Sequence, residues 1–427
     1  MIKNVKEYTF KYGKTELEID LHSNLVINEL KINAFPAVAD PAAAVREAIA
    51  NPIGAAPLRE MIKPDQTVAI IVNDPTRVAN SHVFLPVLLD ELNAAGVPDQ
   101  NVRIVFALGM HRLMEEAEMV EAVGTEVAKR VKMYNSDAKD INQFQHFGTT
   151  SRGTPVYFNK LVTEVDHVIC TGSVVHHFFA GFGGGRKAML PGVAYSETIR
   201  HNHSLMLDPN AMIGKLENNP VYLDQIEGVE MCRPSFLLNV VLDEKKQLLK
   251  VFAGDYIKAH LEACKFVDEV YGVPIPEQAD LVIASCGGYP KDVNIYQLQK
   301  AMDNAACAVR DGGVVIMIGE CIEGSGSSLY EQIMERCTTP EQVEAELRAD
   351  FQIGAHKAYS VTRLMKKAEF ILVSSLEPEL ARKLLFTPAA TMREALQRAY
   401  GKLRPRRSII VMPMAGLTVP LLKQENE

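Results

Sequence analysis

The chain has 427 residues, 47% hydrophobic and 23% charged, with a net charge of -8. That is a soluble globular composition too long for one ordinary core, so two domains are expected. The acidic balance and the lack of a basic stripe exclude a nucleic-acid footprint. Met1–Glu7 lacks the apolar core of a signal peptide, and the uncharged tail run from Ser408 to Leu422 contains two prolines and is too short to span a bilayer. A cytoplasmic protein with no membrane partner is expected. The seven cysteines are scattered, odd in number and without a CxxC pair, so they read as buried thiols.

In chain order, residues 7–20 alternate polar and apolar around Tyr12-Gly13-Lys14, the pattern of an opening hairpin. Asp40-Pro41 starts an Ala-rich helix running to about Ala50. Thr67–Val72 reads as a strand followed at its C-terminal end by Asp74-Pro75-Thr76-Arg77, then a helix near Val83–Ala95. The unit repeats with strand Val102–Leu108, turn Gly109–His111 and acidic helix Glu115–Ala122. His167–Val175 is a third strand, and His176-His177 follows it. Strands alternating with helices imply a parallel sheet, with Arg77, His111 and His177 on one of its edges.

Ser196–Leu207 is expected to be helical with Ser196 as a possible cap. His201 and His203 would then lie about 200° apart around the axis, so only one can face a given ion. Phe236–Phe252 looks like a hairpin, Tyr256–Tyr271 a helix, and Val273–Glu277 a linker. Beyond it come strands at 281–285, 314–318, 370–373 and 409–412 and helices at 295–309, 329–334, 341–347 and 391–399. The expectation is an α/β protein of two α/β domains with mostly parallel sheets, 1–272 and 273–427, an active-site cleft between them and a hinge near 270–280.

Gly181, Gly183, Gly184 and Gly185 crowd four glycines into five positions, which the chain tolerates where it turns tightly or a ligand comes close. The loop is not a P-loop, because Lys187 is followed by Ala188 and not by Ser or Thr. Nor is it a dinucleotide fingerprint, since Arg186 stands where the last glycine belongs. What sets it apart is Lys187 with His177 ten residues before it and His203 sixteen after.

With Asp74-Pro75-Thr76-Arg77, Gly109-Met110-His111-Arg112, the His177–Lys187 block, His203, Gly288-Tyr289-Pro290 and Tyr296-Gln297-Leu298-Gln299-Lys300, the chain resembles the nickel-dependent lactate racemase family. These motifs run from about residue 70 to 300 in family order. The resemblance implies racemisation or epimerisation at C2 of a small 2-hydroxy acid, by hydride transfer through a 2-keto acid. It implies a nickel-pincer nucleotide (a nickel(II) pyridinium-3-thioamide-5-thiocarboxylic acid mononucleotide) joined to Lys187, nickel ligation by His203, and proteins that make the cofactor as partners. His111 and His177 would be the two acid/bases, Arg77 the carboxylate clamp, and Tyr296, Gln297 and Lys300 substrate contacts. Gly183, Gly184, Gly185 and Asp74 would lie against the cofactor. Asp74 has two other readings, orienting Arg77 or a histidine and capping a helix. Lactate is the default substrate. A sugar acid such as gluconate, a non-catalytic nickel or nucleotide carrier and an NAD-dependent dehydrogenase are the competitors. The sequence sets no oligomeric state.

Overall fold

The structure is a computed structural model that describes residues 5–403 and 407–422. The chain divides into two compact α/β units. One is Phe35–Val267; the other joins the chain up to Ala34 to the chain from Asp268 onward.

The Phe35–Val267 unit is built on a six-stranded sheet in the order Leu248–Gly254, Phe236–Leu242, His167–Ser173, Val68–Asn73, Val102–Ala107, Lys132–Asn135. All neighbours are parallel except the hairpin of Phe236–Leu242 with Leu248–Gly254. Val68–Val72 is wholly buried, as expected of a parallel strand covered on both faces. Ile70 and Val72 pack with Ile104, Phe106 and Phe84, Leu88 and Leu92 of helix Ser81–Ala94. The Asp40 side chain caps helix Pro41–Ala50 by accepting from Ala43 N at 2.9 Å. From Val68–Asn73 the chain steps outward to one side through Val102–Ala107 and Lys132–Asn135, then returns to His167–Ser173 and builds the other side. The strand order therefore reverses between Val68–Asn73 and His167–Ser173, and ligands of open α/β sheets lie at such a reversal, beyond the strands' C-terminal ends.

The other unit has a parallel sheet in the order Thr387–Ala389, Ala368–Val373, Val309–Ile318, Ala279–Ser285, Ile409–Met412, Val26–Glu29. Its reversal falls between Ala279–Ser285 and Ile409–Met412, so residues 286–293 and helix Ile295–Ala308 lead away from it.

Two expectations are corrected here. The opening hairpin, Val5–Tyr12 with Thr15–His22, belongs with the second sheet and not with the first domain. Its apolar face, Tyr8, Phe10, Ile19 and Leu21, packs on Leu281, Ile283 and Val411. Its turn docks through Gly13 N to Asp292 Oδ2 (2.7 Å) and Tyr289 N to Gly13 O (2.8 Å). An amphipathic hairpin must bury one face, and nothing local tells it which core to use. The supposed linker also contains a strand, Gly272–Ile275, paired in parallel with Val419–Leu422. Pro274 is tolerated because this two-stranded ribbon leaves one edge of each strand unpaired.

Candidate active site

Asp74 and Arg77 follow Val68–Asn73, His111 follows Val102–Ala107, and His177 follows His167–Ser173, three neighbouring strands of one sheet. Asp74 is 5% exposed, and its two oxygens have different work. Oδ1 accepts from Thr76 N (2.8 Å) and Thr76 Oγ1 (2.6 Å), which closes the turn after the strand. Oδ2 makes a short hydrogen bond to His111 Nδ1. Burial opposes ionisation of Asp74, but the His111 ring and the two Thr76 donors outweigh it and hold the carboxyl below its usual range. Asp74 is thus an orienter of His111 and not a helix cap, since the next helix starts at Ser81. His111 itself is exposed. So is Arg77, anchored by its own N–H to Asp74 O (3.0 Å), and no carboxylate pairs with its guanidinium among the described residues.

Phe179 is the hub of the second cluster, a role the sequence did not reveal. Its ring is 2% exposed and meets His177 at 4.6 Å, Phe178 at 4.7 Å and His203 at 5.1 Å between centroids, with Lys187 Nζ 5.6 Å away. Its carbonyl accepts from Asn219 Nδ2 at 2.8 Å. Of the two helical histidines His203 is the one brought to this ring; Ser196 is the first helical residue and not the cap, which is Tyr195. His176 stacks on Phe182 instead, at 4.9 Å. Burial above all, with the Arg77 and Arg186 guanidiniums adding to it, pushes the His177 pKa well below its ordinary value, so the ring is neutral. Its Nδ1 accepts the Ala180 N–H at 3.3 Å. Burial, with Arg186 and Arg77 adding to it, likewise drives Lys187 well below the usual lysine range.

The glycine loop is held mostly by protein. Gly184 (φ +71) and Gly185 (φ +56) have left-handed backbones. A Cβ on Gly185 would stand 2.6 Å from the His260 ring, and one on Gly184 2.7 Å from Asn239 Oδ1. Asn239 Oδ1 accepts from Gly185 N (2.8 Å), and the His260 ring bonds through Nε2 to Gly183 O (2.8 Å). Burial, then Arg186, pushes His260 down to about 3, so this ring is a neutral structural donor. Arg186 is 1% exposed and spans the loop, from Nη2 to Ala180 O (2.7 Å) and from Nε to Gln225 Oε1 (3.0 Å). Gln225 Nε2 continues to Asn202 Oδ1 (3.0 Å), next to His203. Contacts with His260 and Asn239 are enough to require glycine at positions 185 and 184. A Cβ on Gly183 would meet nothing closer than Val175 Cγ2 at 3.5 Å, ordinary van der Waals contact. Gly185→Ala is expected to cost about 2–4 kcal/mol from overpacking and left-handed strain, and Gly183→Ala under about 1 kcal/mol. Urea melts of the two variants check this; equal costs would contradict the packing account.

In the second unit Tyr296, Gln297 and Lys300 are exposed on the first turns of helix Ile295–Ala308, where the Asn294 side chain caps Gln297 N at 3.0 Å. Beneath them is a buried network missed from sequence, though Gln299 and Asp303 are one helical turn apart. Lys357 Nζ reaches Gln299 Oε1 (2.5 Å) and lies 3.9 Å over the Tyr296 ring, and Arg363 Nη2 pairs with Asp303 Oδ1 (3.0 Å). Burial brings Lys357 down to about 7 and lifts Asp303 to about 6.

Residues 12–214 match the profile of the lactate racemase N-terminal domain, and residues 275–420 that of the lactate racemase C-terminal domain. The chain is 33% identical over 411 residues to the lactate racemase of Thermoanaerobacterium thermosaccharolyticum, covering 94% of this chain and 96% of that one. It is 32% identical over 376 residues to the lactate racemase of Lactiplantibacillus plantarum, covering 86% and 88%. The solved apoprotein of the T. thermosaccharolyticum lactate racemase superposes with a TM-score of 0.87 over 98% of this chain and 100% of the other. A protein from Thermotoga maritima, 18% identical with a TM-score of 0.63, shares the fold.

Proposed function

Because the chain belongs to the lactate racemase family and is therefore an isomerase, we propose that it inverts C2 of a small 2-hydroxy acid through a 2-keto acid, with lactate the first substrate to test. The observation that carries this reading is the gathering of Lys187, His177 and His203 around Phe179, with Arg77 and the Asp74–His111 pair on the same sheet edge.

The residues fit a nickel-pincer nucleotide. A lysine must be unprotonated to be acylated, and burial, with two neighbouring arginines, favours that form of Lys187. Among the described residues no three His, Cys, Asp or Glu side chains gather around one point, so a metal held by His203 takes its other donors from a bound group. Lys187 would carry the nucleotide and His203 would ligate nickel; when bound, the group supplies the two-electron acceptor for the C2 hydrogen.

The chain's own residues handle the rest. Arg77, without a carboxylate partner among the described residues, offers its fork to the substrate carboxylate. His111, with Nδ1–H directed at Asp74, presents a lone pair at Nε2 and takes the hydroxyl proton, and Asp74 stabilises the resulting imidazolium. His177, with Nδ1 accepting from Ala180, presents Nε2–H. The two histidines thus begin in opposite roles, acceptor and donor, and must exchange them for the opposite hand. The 3.3 Å contact to Ala180 is weak enough to yield. Tyr296, Gln297 and Lys300 are assigned to the substrate, and Gly183, Gly184 and Gly185 to the cofactor, by resemblance. A cytoplasmic setting and dependence on cofactor-making proteins complete the proposal. No described helix is long and apolar enough to cross a membrane.

The test is the mass of the Lys187 peptide, with nickel content, on protein produced alongside the cofactor pathway. The expected result is an adduct of mononucleotide size and about one nickel per chain. An unmodified Lys187 under conditions that load an authentic cofactor-bearing member of the family overturns the cofactor assignment.

A further inference from the structure

Five large apolar side chains of the described Phe35–Val267 unit are exposed: Val78, Leu113, Ile141, Val175 and Met212, each by 43–48%. Scattered singly they would need no explanation. Four of the five are instead tied to the candidate site. Val78 follows Arg77, and its carbonyl accepts from Ser173 Oγ at 2.9 Å, which sets it beside the strand that leads to His177. Leu113 lies two residues past His111, and Val175 two before His177. Met212 precedes Ile213, which bridges to Gly181, the strand partner of His177. Two strand spacings of about 4.8 Å therefore separate His177 from the Met212 segment. The polar groups of the site thus have exposed apolar side chains beside them, here called the apolar rim, and exposed apolar surface next to a polar site is where ligand grooves form.

The polar side chains interspersed with that rim are committed elsewhere. Thr76 Oγ1 donates to Asp74 (2.6 Å), Ser173 Oγ to Val78 O (2.9 Å), Asn73 Nδ2 to Arg77 O (3.3 Å) and Lys215 Nζ to Asn210 Oδ1 (2.7 Å). A sugar acid would bring four further hydroxyls into this region, and desolvating them against Val, Leu and Met without partners is unfavourable. A single methyl would leave most of the rim in water.

We propose that the site takes 2-hydroxy acids whose C2 substituent is apolar and larger than methyl, aliphatic or aromatic, and disfavours polyol acids. The proposal rests on the reading of the site given above and adds the part of the substrate that the carboxylate clamp and the two histidines do not select. Each further methylene placed on the rim strengthens binding, and one methylene in an apolar pocket discriminates by roughly tenfold or more.

The experiment compares kcat/KM of the loaded enzyme for lactate, 2-hydroxy-4-methylpentanoate, phenyllactate and gluconate. The branched or the aromatic acid should exceed lactate by about tenfold, with gluconate below lactate. Lactate equal to or above both apolar acids, or gluconate in the lead, overturns the proposal. Val78→Asn with Met212→Asn should cut the ratio of branched acid to lactate by about tenfold, and Met212→Leu should preserve it. A ratio indifferent to the asparagines overturns the rim assignment. Should no 2-hydroxy acid be turned over, the functional reading falls separately. Equilibrium dialysis of the same four acids against the chain then decides the rim: tighter binding of the apolar acids supports it, and equal binding overturns it.

Discussion

Lys187→Met is expected to abolish turnover and at the same time to stabilise the unloaded chain. The loss of activity follows from the proposed attachment: without the amine no cofactor is retained, and at least a thousandfold drop is expected, consistent with removing a group on which the chemistry depends. The gain in stability follows from linkage. Lys187 has a folded-state pKa well below its unfolded value of about 10.4. Between those two values the unfolded chain binds more protons, so stability rises with pH across that window and is penalised at pH 7. Each unit of depression corresponds to about 1.4 kcal/mol. Methionine keeps a similar length with no proton to lose. Melts of the unloaded proteins from pH 7 to 10 should show the wild type gaining on the variant as pH rises. A variant less stable than wild type at pH 7 would mean that Lys187 is charged and paired in the folded protein, against the unprotonated amine the attachment requires.

Asp74→Asn should lower turnover by about a thousandfold to ten-thousandfold with the fold intact, the upper figure being the scale seen when the carboxylate behind a catalytic histidine is neutralised. Asparagine keeps an oxygen for the Thr76 donors, but its NH2 cannot accept the His111 Nδ1–H, so the ring is left in the wrong tautomer or turned away. Because Asp74 acts through His111, Asp74→Asn combined with His111→Gln should be little worse than His111→Gln alone. Additive losses would assign Asp74 a separate role. The substitution also carries a pH signature. Asp74 has a folded-state pKa below its unfolded value of about 3.9, so its contribution to stability is present above that value and disappears as pH falls through the folded one. Melts between pH 7 and 2 should show the acid limb of the wild type flattened in the variant.

Much of this site was legible in the residues. Motifs at strand ends put Asp74, Arg77, His111 and His177 on one sheet edge, because alternating strands and helices leave little choice but a parallel sheet. Helical geometry allowed only one of His201 and His203 to face a given point, and His203 is the one that meets Phe179. In the glycine loop, a glycine required by His260 or Asn239 looks in sequence like one required by a ligand. The roles of Arg186, Gln225 and Asn239 left no sequence signal, as the Gln225 and His260 partners of Arg186 and the Gly185 partner of Asn239 are 39, 74 and 54 residues away.

By itself the sequence determined the local matters: strand and helix types, the hairpin turn at Gly13, the Asp40 cap, and which chemical groups stand at strand ends. Their physical origin is short-range, in backbone sterics, capping and the periodicity of burial. Only the tertiary structure decided which core the opening hairpin enters, that residues 272–275 form a strand, that His111 is held by Asp74, and that Lys187, its pKa lowered by burial, meets His177 and His203 at Phe179. Those outcomes depend on long-range burial and on charges brought together by it, and the same residues in an extended chain would carry ordinary pKa values and no common site.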